Sequence, residues 1–323
     1  MAQKDLQGGV QEKASGVNDD LSRFEKATDK IRFFIWSYPD SALPYIQQNI
    51  RLAFKLNSDS LRTQALGQYA TFLGLTGNYS AQLQYRFEFL TTANRSKNPM
   101  TIAGAIKGLG DAYRDQGDYK RAIQHGQSAK AIFNKQFSSA LFPIRKNDTL
   151  KRYINLLVDL AKSCEKEGLL DSAFQYTRFA ELACKTQYGK MDWAAIPLVY
   201  GNLYLDKQEY SKAIQNFHWG LDLAVRVGWN YDIMDNSYGL ANTYKKMHRL
   251  DSAIFYSNKL IAASKNAHYP VALINTLILL ANAYKANNEI DSTAKYFELA
   301  LKTKDSFFSQ EKVVQMQSLT FNE

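Results

Sequence analysis

Three asparagines and the lysines beside them carry the clearest chemical spacing in this chain. Asn202, Asn242 and Asn282 stand 40 residues apart, and Lys245 and Lys285 follow the last two by three residues. A primary amide offers one acceptor oxygen and two donor hydrogens, which matches the C=O and N–H of an extended peptide backbone. An ammonium beside it favours an acidic side chain or a free carboxylate. Earlier in the chain the same two positions hold Asp111 with Arg114, and Lys162 with Glu165. Four residues ahead of each amide position come Lys107, Val158, Leu198, Tyr238 and Ile278, and the apolar members of that set would form pockets. Such a ladder would hold a peptide irrespective of its sequence. The competing reading is that each amide bonds a neighbouring helix or water.

The other reactive residues do not converge. The four histidines (His125, His218, His248, His268) fall at unrelated spacings, and no phosphate loop, dinucleotide fingerprint or His-Glu-x-x-His pattern is present. Ser163 and Lys166 have the spacing of a hydrolase tetrad, which an amphipathic helix produces readily by chance. Cys164 and Cys184 are too few for a disulfide framework or a structural zinc site. The expectation is therefore a non-catalytic chain without metal or cofactor. The net charge of +9 comes from 40 basic and 31 acidic residues that alternate without a run of five cations. This points to acidic protein or peptide partners rather than to nucleic acid.

The elements that must position the amides are legible as a repeat. Gly110-Asp111-Ala112-Tyr113 runs through Gly117-Asp118-Tyr119 to Ala122, and the same frame returns at Tyr204, Tyr244 and Tyr284, a period of 40. Cys164 takes the equivalent place 40 residues before Tyr204, and Leu73 and Phe33 extend the series backwards from Tyr113. Eleven extra residues separate Tyr113 from Cys164, an insertion placed at about 136–152. Within each unit small and apolar residues recur at steps of three and four, the helical period. Polar turns such as Asn287-Asn288-Glu289 separate two such stripes, with Asp291 near the next helix start as a cap. With 17 glycines and 6 prolines in 323 residues, about half the usual share, long helices are favoured. Seven helix pairs are expected, with the tyrosines in the core and the amide stripe on the neighbouring face.

These residues resemble the tetratricopeptide repeat: a small residue three before Tyr, then Gly-Asp-Tyr, then Ala. The resemblance covers roughly 21–301 and is loosest in the second unit, where Gln82 stands in place of Ala. The family period is about 34, so longer helices are implied. The implied fold is all-α, a right-handed α-solenoid of about seven helix-turn-helix repeats, whose concave groove is lined by the first helix of each pair.

Outside the repeats, residues 1–20 read as a flexible leader, and 304–323 as a capping or exit helix that would cover the last repeat or pair two chains as a homodimer. The stretch from Leu301 to Lys312, with Lys-Asp-Ser and then Glu-Lys, resembles the exit of repeat regions in bacterial membrane-bound regulators. That resemblance implies a sensor for a protein or peptide ligand outside the inner membrane, signalling to a histidine kinase or helix-turn-helix domain, with Val313, Val314 and Met316 in the transmitting helix. Two other readings stay open. One is a free-standing cytoplasmic scaffold. The other is a peptide-pheromone regulator of the longer-repeat type, which would usually carry an extra helical module not evident in residues 1–60.

Overall fold

The computed structural model describes residues 2–137, 147–188, 193–267 and 269–320, and these form fourteen helices without a strand. They pair as seven antiparallel hairpins: α1 (Ala2–Phe34) with α2 (Pro39–Lys55), α3 (Asp59–Leu75) with α4 (Tyr79–Ser96), and α5 (Pro99–Asp115) with α6 (Tyr119–Phe137). Then follow α7 (Asn147–Lys166) with α8 (Leu170–Tyr188) and α9 (Ala195–Asp206) with α10 (Tyr210–Val227). The last two are α11 (Asn230–Lys246) with α12 (Leu250–Ala267) and α13 (Pro270–Ala286) with α14 (Ile290–Thr320). The insertion after α6 falls mostly outside the described residues.

One turn geometry explains the 40-residue period. In six of the seven hairpins the carbonyl at the Tyr position accepts the N–H five residues on: Leu73, Tyr113, Cys164, Tyr204, Tyr244 and Tyr284, at 2.8–3.0 Å. This closes the first helix and requires a left-handed residue in the turn. Gly77, Gly117 and Gly168 supply it early in the chain, whereas Gln208, His248 and Asn288 supply it later, at φ of 56–60° for these three. Three of the four tyrosines then stack on the ring twelve residues on, at 5.3 Å for Tyr113 on His125, 5.6 Å for Tyr244 on Tyr256 and 5.3 Å for Tyr284 on Tyr296, whereas Tyr204, twelve before Asn216, meets Phe174 edge-on at 5.7 Å. Tyr113 is buried, but Tyr204, Tyr244 and Tyr284 are only half-buried, less enclosed than core residues. Small residues set the helix spacing, as expected. Phe217 on α10 is fully buried between Gly201 of α9 and Gly239 of α11, where added Cβ atoms would lie 2.5 and 2.3 Å from its ring.

Residues 2–20 are helical within α1, and Asp20 is already buried with Lys55 Nζ 2.6 Å from its carboxylate. Residues 304–320 continue α14 of the last hairpin. The side chains expected to transmit or dimerise there, Val313, Val314 and Met316, lie outside the described side chains. Asp291 falls inside the first turn of α14, where it faces the helix dipole instead of capping it.

The first hairpin also breaks the pattern. Phe33, at the Tyr position, is 73% exposed, and Ile31 and Ile35 are buried in its stead. Its turn lacks the left-handed residue and closes with Tyr38 N–H on the Phe34 carbonyl. That turn reaches the far end of the array. Ser37 Oγ donates to the Gly228 carbonyl at 2.9 Å, Asn230 Nδ2 to the Ser37 carbonyl at 3.2 Å, and the Tyr231 N–H to the Trp36 carbonyl at 3.2 Å. Tyr269 Oη lies 3.5 Å from the Ile35 carbonyl, and the Trp36 ring meets Tyr231 edge-on at 5.8 Å. Leu75, ending α3, packs on the cluster of Met234, Leu260 and Tyr269. The hairpin turns of repeats 1 and 2 thus touch the linkers entering repeats 6 and 7. Small rotations per repeat have accumulated until the superhelix meets itself, and the expected open groove is walled into a lumen at this level.

Candidate functional site

The first helices α5, α7, α9, α11 and α13 present the predicted stripe to the concave side, but the stripe divides into two unlike parts. In repeats 3 and 4 the charges satisfy one another. Lys107 Nζ lies 2.7 Å from Asp111 and 2.5 Å from Asp159, and Arg114 NH1 lies 3.2 Å from Asp111 and 2.8 Å from Asp159. Arg114 also reaches Asp115 at 3.3 Å, and Asp115 accepts from Gln82 Nε2 at 2.9 Å. From behind, the buried Arg86 of α4 bonds Thr71 Oγ1 at 3.0 Å in space left by Gly108, where a Cβ would sit 3.0 Å from its guanidinium. Gln82 and Arg86 occupy the second unit where the repeat pattern weakens, and they replace a small-residue contact with a polar bridge.

This network crosses the lumen. Lys162 of α7 stands 3.9 Å from Asp235 of α11, two repeats on. The side chains involved keep only 17–35% of their area open, and protein surrounds that opening. Burial alone raises the Asp159 carboxyl, yet the facing Lys107 and Arg114 outweigh it and draw it down to about 2. On the opposite wall the balance reverses. Burial pushes the Asp232 carboxyl up to about 6 against the pull of Lys162, with Asp235 adding to the rise. The Asp235 carboxylate and burial together hold Tyr231 well above its ordinary value.

In repeats 6 and 7 the stripe is unsatisfied. Among the described residues the Asn242 and Asn282 side-chain amides form no hydrogen bond, and Lys245 and Lys285 form no ion pair, although all four are at least partly open to solvent. Burial and the neighbouring Lys246 lower the Lys245 ammonium. Tyr238 and Ile278 are 37% and 39% exposed between them, whereas Val158 and Leu198, expected as pockets in the earlier repeats, are buried core. Asn202 stands at the boundary and donates to Glu165 at 3.3 Å. The predicted residues therefore separate. Lys107, Asp111, Arg114 and Lys162 belong to the paired network, Asn202 bridges to the preceding repeat, and Tyr238, Asn242, Lys245, Asn282 and Lys285 line an open wall.

Asp159, Asp235 and Arg86 escaped the sequence reading because each occurs at its position in one repeat only, so a search for ladders passes over them; Asp232 has a counterpart 40 residues before it in Asp192 but lies off the stripe that was followed. The Ser163–Lys166 spacing does not form a catalytic pair: Ser163 Oγ donates to the Asp159 carbonyl at 2.8 Å and Lys166 pairs with Glu165 at 2.7 Å. Cys164 and Cys184 are both buried and unbridged, and burial pushes the Cys164 thiol up to about 11. Among the described residues no cluster of three His, Cys, Asp or Glu is placed to hold a metal ion, and no helix is long and apolar enough to cross a membrane.

No protein-family model and no curated protein matches the chain. Solved structures do match in fold. NprR in complex with its cognate peptide NprX aligns with a TM-score of 0.67 at 17% identity, over 98% of this chain and 88% of that one. A Rap protein complexed with competence and sporulation factor aligns at 0.66 and 13% identity, over 92% and 81%. Aspartyl phosphate phosphatase F from Bacillus subtilis aligns at 0.61 and 9% identity, over 93% and 75%. The chain is thus a tetratricopeptide-like α-solenoid along nearly its whole length.

Proposed function

We propose that the chain is a peptide-binding module that takes an extended peptide bearing an acidic side chain or a free carboxylate on the wall of repeats 6 and 7. The observation that carries this reading is the pair of unpartnered amides, Asn242 and Asn282, on adjacent concave helices with Lys245 and Lys285 beside them. Tyr238 and Ile278 offer apolar contact between the amides. A protein of similar fold, NprR, was solved with its cognate peptide, which supports a peptide as the ligand class. The finer reading is a sensor of a bacterial signalling receptor, lying outside the inner membrane. A ligand on α13 would act on its hairpin partner α14, which runs 31 residues to Thr320 and would carry the shift onward.

Fluorescence anisotropy with short acidic peptides, each prepared with a free and an amidated C-terminus, tests the module. The free-carboxylate peptides should bind, and Asn242→Ala with Asn282→Ala should weaken them by about 1–3 kcal/mol without moving the melting temperature. A double variant that binds as wild type, or that unfolds, overturns the clamp. Ligand-dependent hydrogen exchange along α14 is expected of a sensor, and its absence with binding intact would favour a free-standing scaffold.

A further inference from the structure

A groove opens between the second helices of repeats 5 and 6. Between α10 and α12, floored by α11, lies a cavity of about 600 Å³, within the range of small-molecule sites. The crevice between α5, α6 and α7, by contrast, leaves about 10 Å³. The cavity falls where the core breaks up. A continuous cluster of buried side chains runs from Ala103 to Leu203, whereas around α10–α12 it divides into separate groups, one with Leu223 and Ala224 and another with Met234 and Leu260. A gap of that size between well-packed helices forfeits contacts that an apolar ligand would restore.

Its walls are apolar, from Leu221 and Val225 on α10, Ile233 and Met234 on α11, and Leu260 on α12. Its rim is cationic. Arg226 spends only its Nε on the Asp222 carbonyl, at 3.4 Å, and the Lys259 ammonium rests over the Phe255 ring at 4.8 Å. Neither forms an ion pair among the described residues, and Asp222 is the one carboxylate on the rim. Outside the mouth, Phe255 is 54% exposed and continues the apolar track from the half-open Val225 wall.

We propose that this groove binds an amphipathic anion, a medium-chain acyl carboxylate whose alkyl chain lies along Leu221, Met234 and Leu260 and whose carboxylate meets Arg226 and Lys259. The apolar lining selects a hydrocarbon chain, and the cations on the rim, Arg226 on α10 and Lys259 on α12, select an anionic head. On α11, Ile233 and Ser237 point away from Asn242 around the helix, so Asn242 takes no part in this site.

Isothermal titration of the full chain with dodecanoate, below its micelle concentration, is the test. Saturable binding of one dodecanoate per chain is expected. Arg226→Gln with Lys259→Gln should weaken it about tenfold while leaving any dodecanol binding unchanged, and Asn242→Ala should leave it intact. Ser237→Leu or Ala263→Leu, each placed to fill the cavity, should abolish binding in a chain whose circular dichroism shows it folded. No saturable binding overturns the proposal, as does equal affinity in the charge variant, which keeps its exposed side chains clear of the core and is informative even if the filling variants misfold. A concentration-dependent dimer that Ser237→Leu disperses would assign the groove to a second copy of the chain and overturn it equally.

Discussion

Repeats 3 and 4 and repeats 6 and 7 share one hairpin, one period and one concave register, yet they spend their polar residues differently. In the earlier pair every charge on the stripe meets a partner: Lys107 and Arg114 converge on Asp111 and Asp159, and Lys162 reaches across to Asp235. In the later pair the amides and ammoniums face open space beside exposed Tyr238 and Ile278. Ionic pairs in partly dry surroundings are costly to break and contribute little to ligand binding once satisfied. Polar groups without partners hold little of the fold and are available to a ligand. The same solenoid position is thus a strut in one half and a candidate contact in the other.

The largest effect that separates the halves is on stability. Asp159→Ala removes the carboxylate on which two cations converge and should cost about 2–3 kcal/mol by urea unfolding, somewhat under the figure for a fully buried pair because 21% of the side chain stays open. Asn242→Ala should cost under about 0.5 kcal/mol in the same assay. Equal losses at the two sites would erase the distinction between strut and contact.

Next in size is the closure that brings the halves face to face. Trp36→Ala deletes the ring set on Tyr231 and loosens the loop that carries the Tyr231 and Asn230 bonds. A loss of about 1–2 kcal/mol is expected, together with a larger radius of gyration in X-ray scattering as the superhelix opens. An unchanged radius with lowered stability would mean that the Lys162–Asp235 contact holds the lumen shut without the turn.

How much of this was legible in the sequence follows from the distance over which each feature is set. The hairpins, the 40-residue period and the identity of the concave stripe depend on residues within one or two units, so spacing alone reveals them. The closure joins Ser37 to Gly228, 191 residues apart, and depends on rotations summed over five repeats, which no local pattern records. Phe33 keeps the register of the core position and still faces outward, in a hairpin whose turn bonds to the far end of the array. The amide ladder could be read as a ladder, but which rungs were already occupied depended on Glu165 and Asp235, residues that recur in no other unit.

A smaller effect lies at the join of the two halves. Burial holds the Asp232 carboxyl near 6 in the folded chain, against about 4 unfolded. The folded state therefore binds more protons between those values, and stability falls as pH rises from 4 to 6 and stays lower above. Asp232→Asn should then stabilise the chain at pH 7.5 by about 1–2 kcal/mol, discounted for contact with lumen water, and the gain should vanish below pH 4. A gain that persists at pH 3.5 would assign the effect to packing instead of charge.

The smallest effect tests whether the later repeats are also the looser ones in their turns. Repeats 3 and 4 place Gly117 and Gly168 at the left-handed position, whereas repeats 5 and 6 place Gln208 and His248 there. A left-handed L residue costs about 1–2 kcal/mol, and glycine's extra unfolded freedom returns roughly 0.5–1 of it. His248→Gly and Gln208→Gly should therefore each raise the urea midpoint by an amount worth about 0.5 kcal/mol. Gly117→Ala and Gly168→Ala should lower it by a similar amount, since an added Cβ meets nothing within 4 Å at either glycine and only the backbone angle is tested. If the histidine and glutamine variants gain nothing, their side chains return through local contacts what the turn angle costs. The later turns would then be as well adapted as the earlier ones, and the contrast between the halves would belong to the concave wall alone.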